Sequence, residues 1–236
     1  MSGRDLLVVV PTYNERDNLP ELVDGIRANL PGAHVLVVDD GSPDGTAAVA
    51  RELGAATGDV AVLERDRPRG IGSAYRHGFR AGLERGYRRF VSMDADLSHD
   101  PKHLPALVAA SETADFAIGS RYLHGVSVVN WSLGRLAASV GANAYARTVT
   151  GLPVRDCTSG FQCVRREVLE AIGIDGLRRD GYAFLIEFKY RAFRRGFRFQ
   201  EVPIVFVERR SGISKNGIPS GVKTMWAVWA LRFGAD

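Results

Sequence analysis

The chain has 236 residues, and its 45% hydrophobic and 25% charged content is that of a globular protein rather than a disordered one. This length is enough for one sizeable α/β domain. Its 31 Lys and Arg against 27 Asp and Glu give a net charge of +4, a bias too small to indicate a nucleic acid partner. An anionic small molecule or an anionic membrane surface fits this charge.

The start of the chain and its cysteines predict neither a signal nor a metal site. Arg4 and Asp5 interrupt the N-terminal apolar residues, and nowhere do 18 uncharged apolar residues follow one another. Cys157 and Cys163 lie six apart without a second pair, so we expect two reduced thiols in a cytosolic protein. A chain of this kind meets a membrane only at its surface.

In chain order, the first half alternates short apolar runs with segments of helical spacing. The apolar runs predict strands at residues 6–10, 35–38, 60–63, 90–93 and 116–118. The segments between them predict helices at residues 19–29, 46–53, 71–85 and 104–110. This alternation predicts an α/β fold with a mostly parallel central sheet and helices on both faces.

The second half begins with a long helix at 132–150, for which Ser132 is the expected N-cap. A turn-rich segment at 153–160, a strand at 161–164, a helix at 182–195 and a strand pair within 199–207 follow. A glycine-rich basic loop at 208–219 then leads to a last helix ending near Phe233. No repeat and no linker interrupts the chain, which favours one compact domain.

Polar residues follow the predicted strands, at the edge where a parallel sheet binds its ligands. They are PTYNE at 11–15, DDGSPDG at 39–45, DADLSH at 94–99 and GSRY at 119–122. The first strand leads into neither the G-x-G-x-x-G fingerprint nor a P-loop, and Gly70-Ile71-Gly72 is an isolated G-x-G. Nicotinamide chemistry and P-loop hydrolysis are therefore disfavoured.

Asp94 and Asp96 stand two apart at a strand end, so their carboxylates project to the same side. Such a pair suits Mg²⁺ or Mn²⁺, which takes one or two carboxylates together with substrate phosphates. The alternative is a solvated acidic loop in which Asp100 caps the next helix. A second pair, Asp39 and Asp40, favours a binding site, because neighbouring acidic clusters repel each other unless a cation or donor groups lie between them.

Nine segments of the chain resemble glycosyltransferase family 2, and within it the polyprenol-phosphate (dolichol-phosphate) mannose synthase branch. They are VPTYNE at 10–15, VDDGSPDGT at 38–46, GIGSAY at 70–75, MDADLSH at 93–99, GSRY at 119–122, DCTSGF at 156–161, FLIE at 184–187, VPI at 202–204 and FVERRSGISK at 206–215. These segments are spread over nearly the whole chain, whereas a chance match would involve one short motif only.

The resemblance implies a GT-A nucleotide-sugar-binding fold and inverting transfer of mannose from GDP-mannose to a polyprenyl monophosphate. The donor contacts that it implies are Pro11, Tyr13, Glu15, Asp39, Asp40 and Asp94. The implied ligands of the Mg²⁺ or Mn²⁺ ion are Asp94, Asp96 and Ser98. The family often has Gln in place of Ser98, so a water can fill that ligand position here.

For catalysis the resemblance implies Asp96, Arg121, Arg135, Arg209 and Lys215, and for the acceptor phosphate Arg121, Arg135 and Ser139. Arg135, Ser139, Asn143 and Arg147 recur at intervals of four and form one polar ridge on the long helix. For Arg135 and Ser139 the resemblance favours contact with the acceptor. We expect Asn143 and Arg147 to face solvent.

A phosphate acceptor needs no protein base, because the second pKa of a phosphate monoester lies near about 6 and its oxygens are anionic at neutral pH. The Q-x-x-R-W pattern of processive relatives does not occur, which disfavours a polysaccharide synthase. Two alternatives remain open. One is transfer from UDP-glucose or another UDP-sugar to the same acceptor, and the other is a non-catalytic nucleotide-sugar-binding module.

The last helix carries one continuous apolar face, formed by Val222, Met225, Trp226, Trp229, Ala230 and Phe233. This face either lies in a membrane interface, with Lys223 and Arg232 near headgroups, or packs as ordinary core. The sequence leaves both open. We expect a donor half at about 1–120, an acceptor half at about 121–220 and the helix at 221–236. We expect a cytoplasmic protein held peripherally on the cytoplasmic face of a membrane, with a membrane partner protein left open.

Overall fold

A computed structural model describes residues 5–66, 70–208 and 218–234, and for 218–223 the backbone alone. Within these ranges the strands are β1 (Leu6–Thr12), β2 (His34–Asp39), β3 (Val60–Glu64), β4 (Arg89–Ser92), β5 (Phe116–Ser120), β6 (Val128–Val129), β7 (Gln162–Arg165), β8 (Phe199–Pro203) and β9 (Phe206–Val207). The α-helices are α1 (Leu19–Asn29), α2 (Thr46–Thr57), α3 (Ile71–Glu84), α4 (Leu104–Thr113), α5 (Leu133–Thr150), α6 (Arg166–Ile172), α7 (Gly181–Arg194) and α8 (Ile218–Phe233).

Seven strands form the main sheet in the order β3-β2-β1-β4-β7-β5-β8. β7 pairs antiparallel with both β4 and β5, and every other pairing in the sheet is parallel. The predicted mostly parallel α/β sheet is therefore confirmed. Because β7 and β8 belong to the same sheet as β1–β4, the two halves of the chain share one hydrogen-bonded scaffold.

The core lies on both faces of the sheet because neighbouring strand residues point to opposite sides. On β1, Leu7 and Val9 pack with the cluster that contains Phe79 of α3, whereas Val8 and Val10 belong to the other cluster, with α1 and α4. All four β1 side chains are buried. This two-sided burial explains why the predicted strands appeared as continuous apolar runs rather than alternating ones.

Short elements account for the differences from the predicted order. The strand pair expected within 199–207 is not a pair, since β8 lies beside β5 in the main sheet and β9 pairs with β6. The two-residue β6 and the seven-residue α6 were not predicted, because they are too short to show a period. The basic loop expected to reach residue 219 ends earlier, since α8 begins at Ile218.

Four side chains of the apolar face of α8 point away from the core. Val228 is buried and belongs to the core cluster, and α8 packs against α5 and α7. On the other side Trp226 and Phe233 are 71% and 61% exposed, and Met225 and Trp229 are exposed as well. Core packing, one of the two readings left open for this face, is therefore wrong for these four side chains. None of the described helices has the length and apolar content that crossing a bilayer requires.

Candidate active site

One edge of the main sheet gathers the segments that the sequence singled out. The six parallel strands run in one direction, so their carboxyl ends share an edge. β7 runs the opposite way, and its first residue, Gln162, pairs with Ser92 at the end of β4. The segment before β7, residues 156–161, therefore reaches the same edge. The topology brings together residues 11–15, 39–45, 94–99, 119–122 and 156–161.

Asp39 joins the ends of β1 and β2. Its Oδ1 accepts hydrogen bonds from Thr12 Oγ1 at 2.9 Å and from Ser42 Oγ at 2.6 Å, and its Oδ2 accepts the backbone N–H of Ser42 at 2.9 Å. The carboxylate is buried, so these donors compensate the lost hydration. Asp39 thereby fixes the start of the loop after β2, where the family resemblance implies contacts with the donor.

Asp40 forms an ion pair with Arg65, a residue that the sequence analysis missed. Arg65 Nε lies 2.5 Å from Asp40 Oδ1, and its Nη1 donates to Ser73 Oγ at 2.8 Å. Both charged side chains are buried. The repulsion expected between adjacent acidic clusters is thus relieved in part by an arginine of the chain itself. The one available signal was the position of Arg65 directly after β3.

The other predicted donor contacts lie beside this pair. Pro11 is the penultimate residue of β1, Tyr13 and Glu15 follow the strand, and all three are half-buried. Glu15 Oε2 accepts from Asn18 Nδ2 at 2.8 Å, and its backbone N–H donates to Thr46 Oγ1 at 3.0 Å. These contacts hold the loop after β1 against the start of α2. The assignment of the three residues to the donor stays a prediction.

The isolated G-x-G at the start of α3 has a structural explanation. Asp180 Oδ1 accepts the backbone N–H of Gly72 at 2.7 Å, where the positive end of a helix favours a negative charge. Gly70 adopts a φ of 85°, and a Cβ there would collide with the Asp180 carboxylate. Gly70 therefore lets a carboxylate of the chain itself reach this helix terminus. A Cβ at Gly72 would instead collide with Phe184 and the Arg179 carbonyl.

Asp94 and Asp96 are each oriented by hydroxyl donors. Tyr75 donates to Asp94 Oδ1 at 3.1 Å, and Ser98 donates to Asp96 Oδ1 through its backbone N–H at 3.1 Å and its Oγ at 2.5 Å. Burial, followed by the charge of Asp94, raises the pKa of Tyr75, so the phenol keeps its proton. Ser98, predicted as a metal ligand, contacts Asp96 here, and its direct ligation stays a prediction.

This pair fits a divalent cation that arrives with its substrate. A carboxylate offers about four lone-pair positions, so each aspartate keeps ligating capacity beyond these hydrogen bonds. In the part of the chain that the structure describes, no group of three His, Cys, Asp or Glu side chains gathers around a point. Mg²⁺ and Mn²⁺ sites complete two carboxylates with substrate phosphates and water. Two carboxylates fit an ion of this kind, and the assignment of Asp94 and Asp96 to a metal stays a prediction.

Arg121 is held in a buried fork by Asp156, at the start of the segment that reaches this edge. Its Nε and Nη2 each donate to one carboxylate oxygen at 2.7 Å, and Nη2 also donates to Thr158 Oγ1 at 2.7 Å. Burial alone lowers the pKa of an arginine, but the charge and the hydrogen bonds of Asp156 together outweigh it, and the pKa of Arg121 is raised. Its charge is thus already matched, and its role toward an acceptor phosphate stays a prediction.

Arg135 is more accessible than Arg121. Its Nη1 lies 2.5 Å from Glu208 Oε1, and the two side chains are 35% and 38% exposed. Its guanidinium stands 4.2 Å from the ring centre of Trp131. Ser139, one turn further along α5, has its Oγ 2.7 Å from the hydroxyl of Tyr122.

These contacts place the three residues predicted for the acceptor in one neighbourhood. The Arg121 guanidinium lies 5.6 Å from the Trp131 ring and 5.3 Å from the Tyr122 ring. Arg135 contacts the same Trp131 ring, and Ser139 contacts the hydroxyl of the same Tyr122. The two other predicted catalytic residues, Arg209 and Lys215, lie outside the described residues.

Asn143 corrects the expectation that the ridge on α5 ends in solvent. It is 3% exposed, and its Oδ1 accepts the backbone N–H of Cys157 at 2.8 Å and that of Thr158 at 3.3 Å. Its Nδ2 donates to Thr158 Oγ1 at 3.1 Å. The amide therefore secures the segment that carries Asp156. Arg147 is exposed, as expected.

The mostly parallel sheet, with paired carboxylates and arginines along one edge, has the GT-A fold of solved glycosyltransferase structures. The chain superposes on glucosyl-3-phosphoglycerate synthase from Mycobacterium tuberculosis, solved with Mn²⁺, UDP and glucosyl-3-phosphoglycerate, with a TM-score of 0.74. That match covers 98% of this chain and 81% of the other, at 20% identity. At this identity the likeness shows the fold.

Sequence relatives define the family. Residues 7–173 match the model of glycosyl transferase family 2. The polyprenol monophosphomannose synthase of Mycolicibacterium smegmatis is 47% identical over 98% of this chain and 88% of its own length. The undecaprenyl-phosphate mannosyltransferase of Micrococcus luteus is 45% identical over 97% of this chain and 93% of its own length. The chain belongs to glycosyltransferase family 2.

Proposed function

We propose that this protein transfers mannose, with inversion, from GDP-mannose to a polyprenyl monophosphate. The observation that carries the proposal is 45–47% identity over almost the entire chain to two enzymes named for mannosyl transfer to polyprenyl phosphates. The site supports it through its chemistry, since carboxylates and arginines occupy one edge of the same sheet. The carboxylates suit a metal-bound donor and the arginines suit a phosphate acceptor.

On the donor side, Asp94 and Asp96 would hold a Mg²⁺ or Mn²⁺ ion, which when bound neutralises the charge that develops on a diphosphate leaving group. Tyr75 and Ser98 keep the two carboxylates oriented through the hydrogen bonds described above. Such preorganisation matters because a group already in place costs no reorganisation when charge develops. The loop fixed by Asp39 would hold the nucleoside.

On the acceptor side, Arg135 and Arg121 would bind the phosphate of the lipid, with Ser139 beside them. A phosphate monoester is already anionic at neutral pH, so it attacks the anomeric carbon without a protein base. Attack opposite the leaving diphosphate inverts the configuration. The chain then contributes mainly position and charge. Arg209 and Lys215 would add positive charge from the loop that follows Glu208.

The lipid acceptor gives the exposed apolar face of α8 a role. Trp226, Trp229 and Phe233 on this face suit the headgroup region of a bilayer, and Leu133 at the start of α5 is also exposed. α5 packs beside α8 and carries Arg135. We propose that the protein binds the cytoplasmic face of a membrane peripherally through α8, alone or with a membrane partner protein.

A transfer assay tests the function directly. Labelled GDP-mannose is incubated with a short polyprenyl phosphate in the presence of Mn²⁺, Mg²⁺ or EDTA, and lipid-linked label is measured. The free polyprenol serves as the matched acceptor control and UDP-glucose as the donor control. We expect transfer of mannose from GDP-mannose to the polyprenyl phosphate but not to the free polyprenol, and we expect EDTA to abolish this transfer. Transfer from UDP-glucose only would contradict the assignment of mannose as the sugar. Metal-dependent GDP binding without transfer from any donor would contradict the proposal that the protein is an enzyme.

A further inference from the structure

Trp131 connects the two arginines predicted to bind the acceptor phosphate. Its ring centre lies 4.2 Å from the Arg135 guanidinium and 5.6 Å from that of Arg121. Phe206 packs against it edge-on, with ring centres 5.5 Å apart and planes at 76°. An aromatic face attracts a cation, so this ring holds two like charges near each other. Trp131 lies in none of the segments that carry the family resemblance.

The indole N–H of Trp131 is a buried donor, and among the described residues no atom accepts its hydrogen bond. A buried donor without an acceptor costs folding free energy, because water solvates it in the unfolded chain. Such groups mark places where a partner arrives later or where a water is held. The ring that carries this donor contacts two guanidinium groups, so an anion is the partner that the local charge favours.

The two arginines differ in how firmly their present partners hold them. Arg121 is buried and donates two side-chain hydrogen bonds to the Asp156 carboxylate. Arg135 instead forms a single ion pair with Glu208, and both of these side chains are about one-third exposed. An exposed pair of this kind is worth little and exchanges readily. A phosphate that replaced Glu208 on Arg135 would lie next to the Trp131 ring that Arg135 already contacts.

We propose that Trp131 is a further binding residue of the acceptor site. Its ring face holds Arg135 in position, and its indole N–H donates to an oxygen of the acceptor phosphate. This inference deepens the proposed function and rests on it, since it specifies how the phosphate of the lipid is recognised. A phosphate monoester fits because it accepts both a neutral N–H donor and an arginine fork.

Two variants separate the parts of the side chain. Trp131→Phe keeps an aromatic face and removes the N–H, whereas Trp131→Leu removes both. Binding of a short, water-soluble isoprenyl monophosphate is measured by calorimetry, with the isoprenyl alcohol of the same length as the control ligand. Acceptor KM and kcat for mannosyl transfer are measured alongside, and GDP binding reports whether the donor side is intact.

We expect Trp131→Phe to weaken monophosphate binding and raise the acceptor KM about tenfold, the loss of one hydrogen bond to a charged group. Trp131→Leu should weaken monophosphate binding further, raise the acceptor KM further and lower kcat, because Arg135 also loses the aromatic ring that it contacts. Alcohol and GDP binding should stay at the wild-type level in both. Wild-type monophosphate affinity in Trp131→Phe would overturn the proposal, as would an equal loss of alcohol binding. If the wild-type protein binds the monophosphate but transfers no sugar, the proposed function is wrong. The comparison of monophosphate binding between wild type and the two Trp131 variants still tests the role of Trp131 in that case.

Discussion

Nδ1 of His99 lies 3.0 Å from the backbone nitrogen of Asp94 and accepts its hydrogen bond. The imidazole is buried, stacks on Phe161 with ring centres 5.0 Å apart, and meets Phe206 edge-on at 5.7 Å. His99 and Phe206 also form an isolated antiparallel bridge. One side chain therefore fixes the backbone of the acidic run and connects it to the segment before β7 and to β9.

Two substitutions of His99 separate its hydrogen bond from its ring. His99→Phe keeps the stacking but leaves the buried Asp94 N–H without an acceptor, which should cost about 1–3 kcal/mol of stability and misplace Asp94. His99→Asn retains an acceptor near the Nδ1 position and loses the ring contacts. We expect Mn²⁺ affinity, measured by electron paramagnetic resonance with GDP present, to fall more in His99→Phe than in His99→Asn. The reverse order would contradict the role given to the hydrogen bond.

Asp96→Asn should reduce mannosyl transfer about 100-fold or more, because a neutral amide ligates a divalent cation poorly and cannot offset the diphosphate charge. Circular dichroism should show an unchanged fold. Ser98→Ala is the graded comparison, since Asp96 keeps the backbone N–H of residue 98 and loses only the hydroxyl. For Ser98→Ala we expect mannosyl transfer to fall about two- to tenfold. Full activity in Asp96→Asn would remove Asp96 from the proposed metal site.

Glu208→Gln should lower the acceptor KM about two- to fivefold, because it weakens the exposed ion pair that occupies Arg135. The donor KM should not change, since no described contact of Glu208 reaches the carboxylates of the donor side. Glu170→Gln breaks a comparable surface pair with Arg166 on α6 and serves as the control. A rise in the acceptor KM on Glu208→Gln would mean that Glu208 assists the acceptor rather than competing with it.

Lys189 gives the folding stability a pH dependence that can be isolated. Its side chain is buried, with Nζ 2.8 Å from the Ser159 carbonyl, and burial lowers its pKa from 10.5 to about 8, although Cys157 and Asp156 act in the opposite direction. Between about pH 8 and 10.5 the unfolded chain therefore binds more protons at this site. The contribution of Lys189 to stability should therefore rise with pH across that window and stay constant below about pH 8, where both states bind the proton.

Lys189→Met removes this contribution. The difference in unfolding free energy between wild type and Lys189→Met, from urea titrations at several pH values, should shift in favour of the wild type from pH 8 to 10.5. Lys102→Met, at an exposed lysine paired with Asp100, is the control for the loss of one lysine side chain. Parallel profiles for wild type and Lys189→Met would contradict the lowered pKa.

Trp229→Glu and Trp226→Glu should reduce sedimentation with vesicles of anionic lipid about tenfold or more, because each removes a large apolar side chain from the proposed interface. Both residues are exposed, so the melting temperature should change little. Val228→Ala on the same helix is the opposite case. It lies in the core, and we expect it to lower the melting temperature without changing vesicle binding. Unchanged sedimentation in both Trp variants would contradict the membrane role of α8.

Most of the sheet was predictable because the local sequence of each long strand shows where the strand lies. The runs in β1 and β2 are apolar on both faces and end in polar residues, and the helices between them have clear periodicity. α1 begins and ends where predicted, and Ser132 caps α5 through a hydrogen bond from the Arg135 backbone. β6 and β9 were missed or misassigned because strands of two residues have no period to detect.

The sequence by itself placed the acidic and basic residues of the candidate site at strand ends, since a run of consecutive apolar residues shows where a buried strand stops. Only the tertiary structure decided what each of them contacts. Arg65 meets Asp40 across 25 positions, Arg121 meets Asp156 across 35, and Asn143 is buried under the segment from 156 to 161. Periodicity reports which way a side chain points relative to its own element. The partner it meets depends on how distant elements pack, and that same packing left one face of α8 exposed.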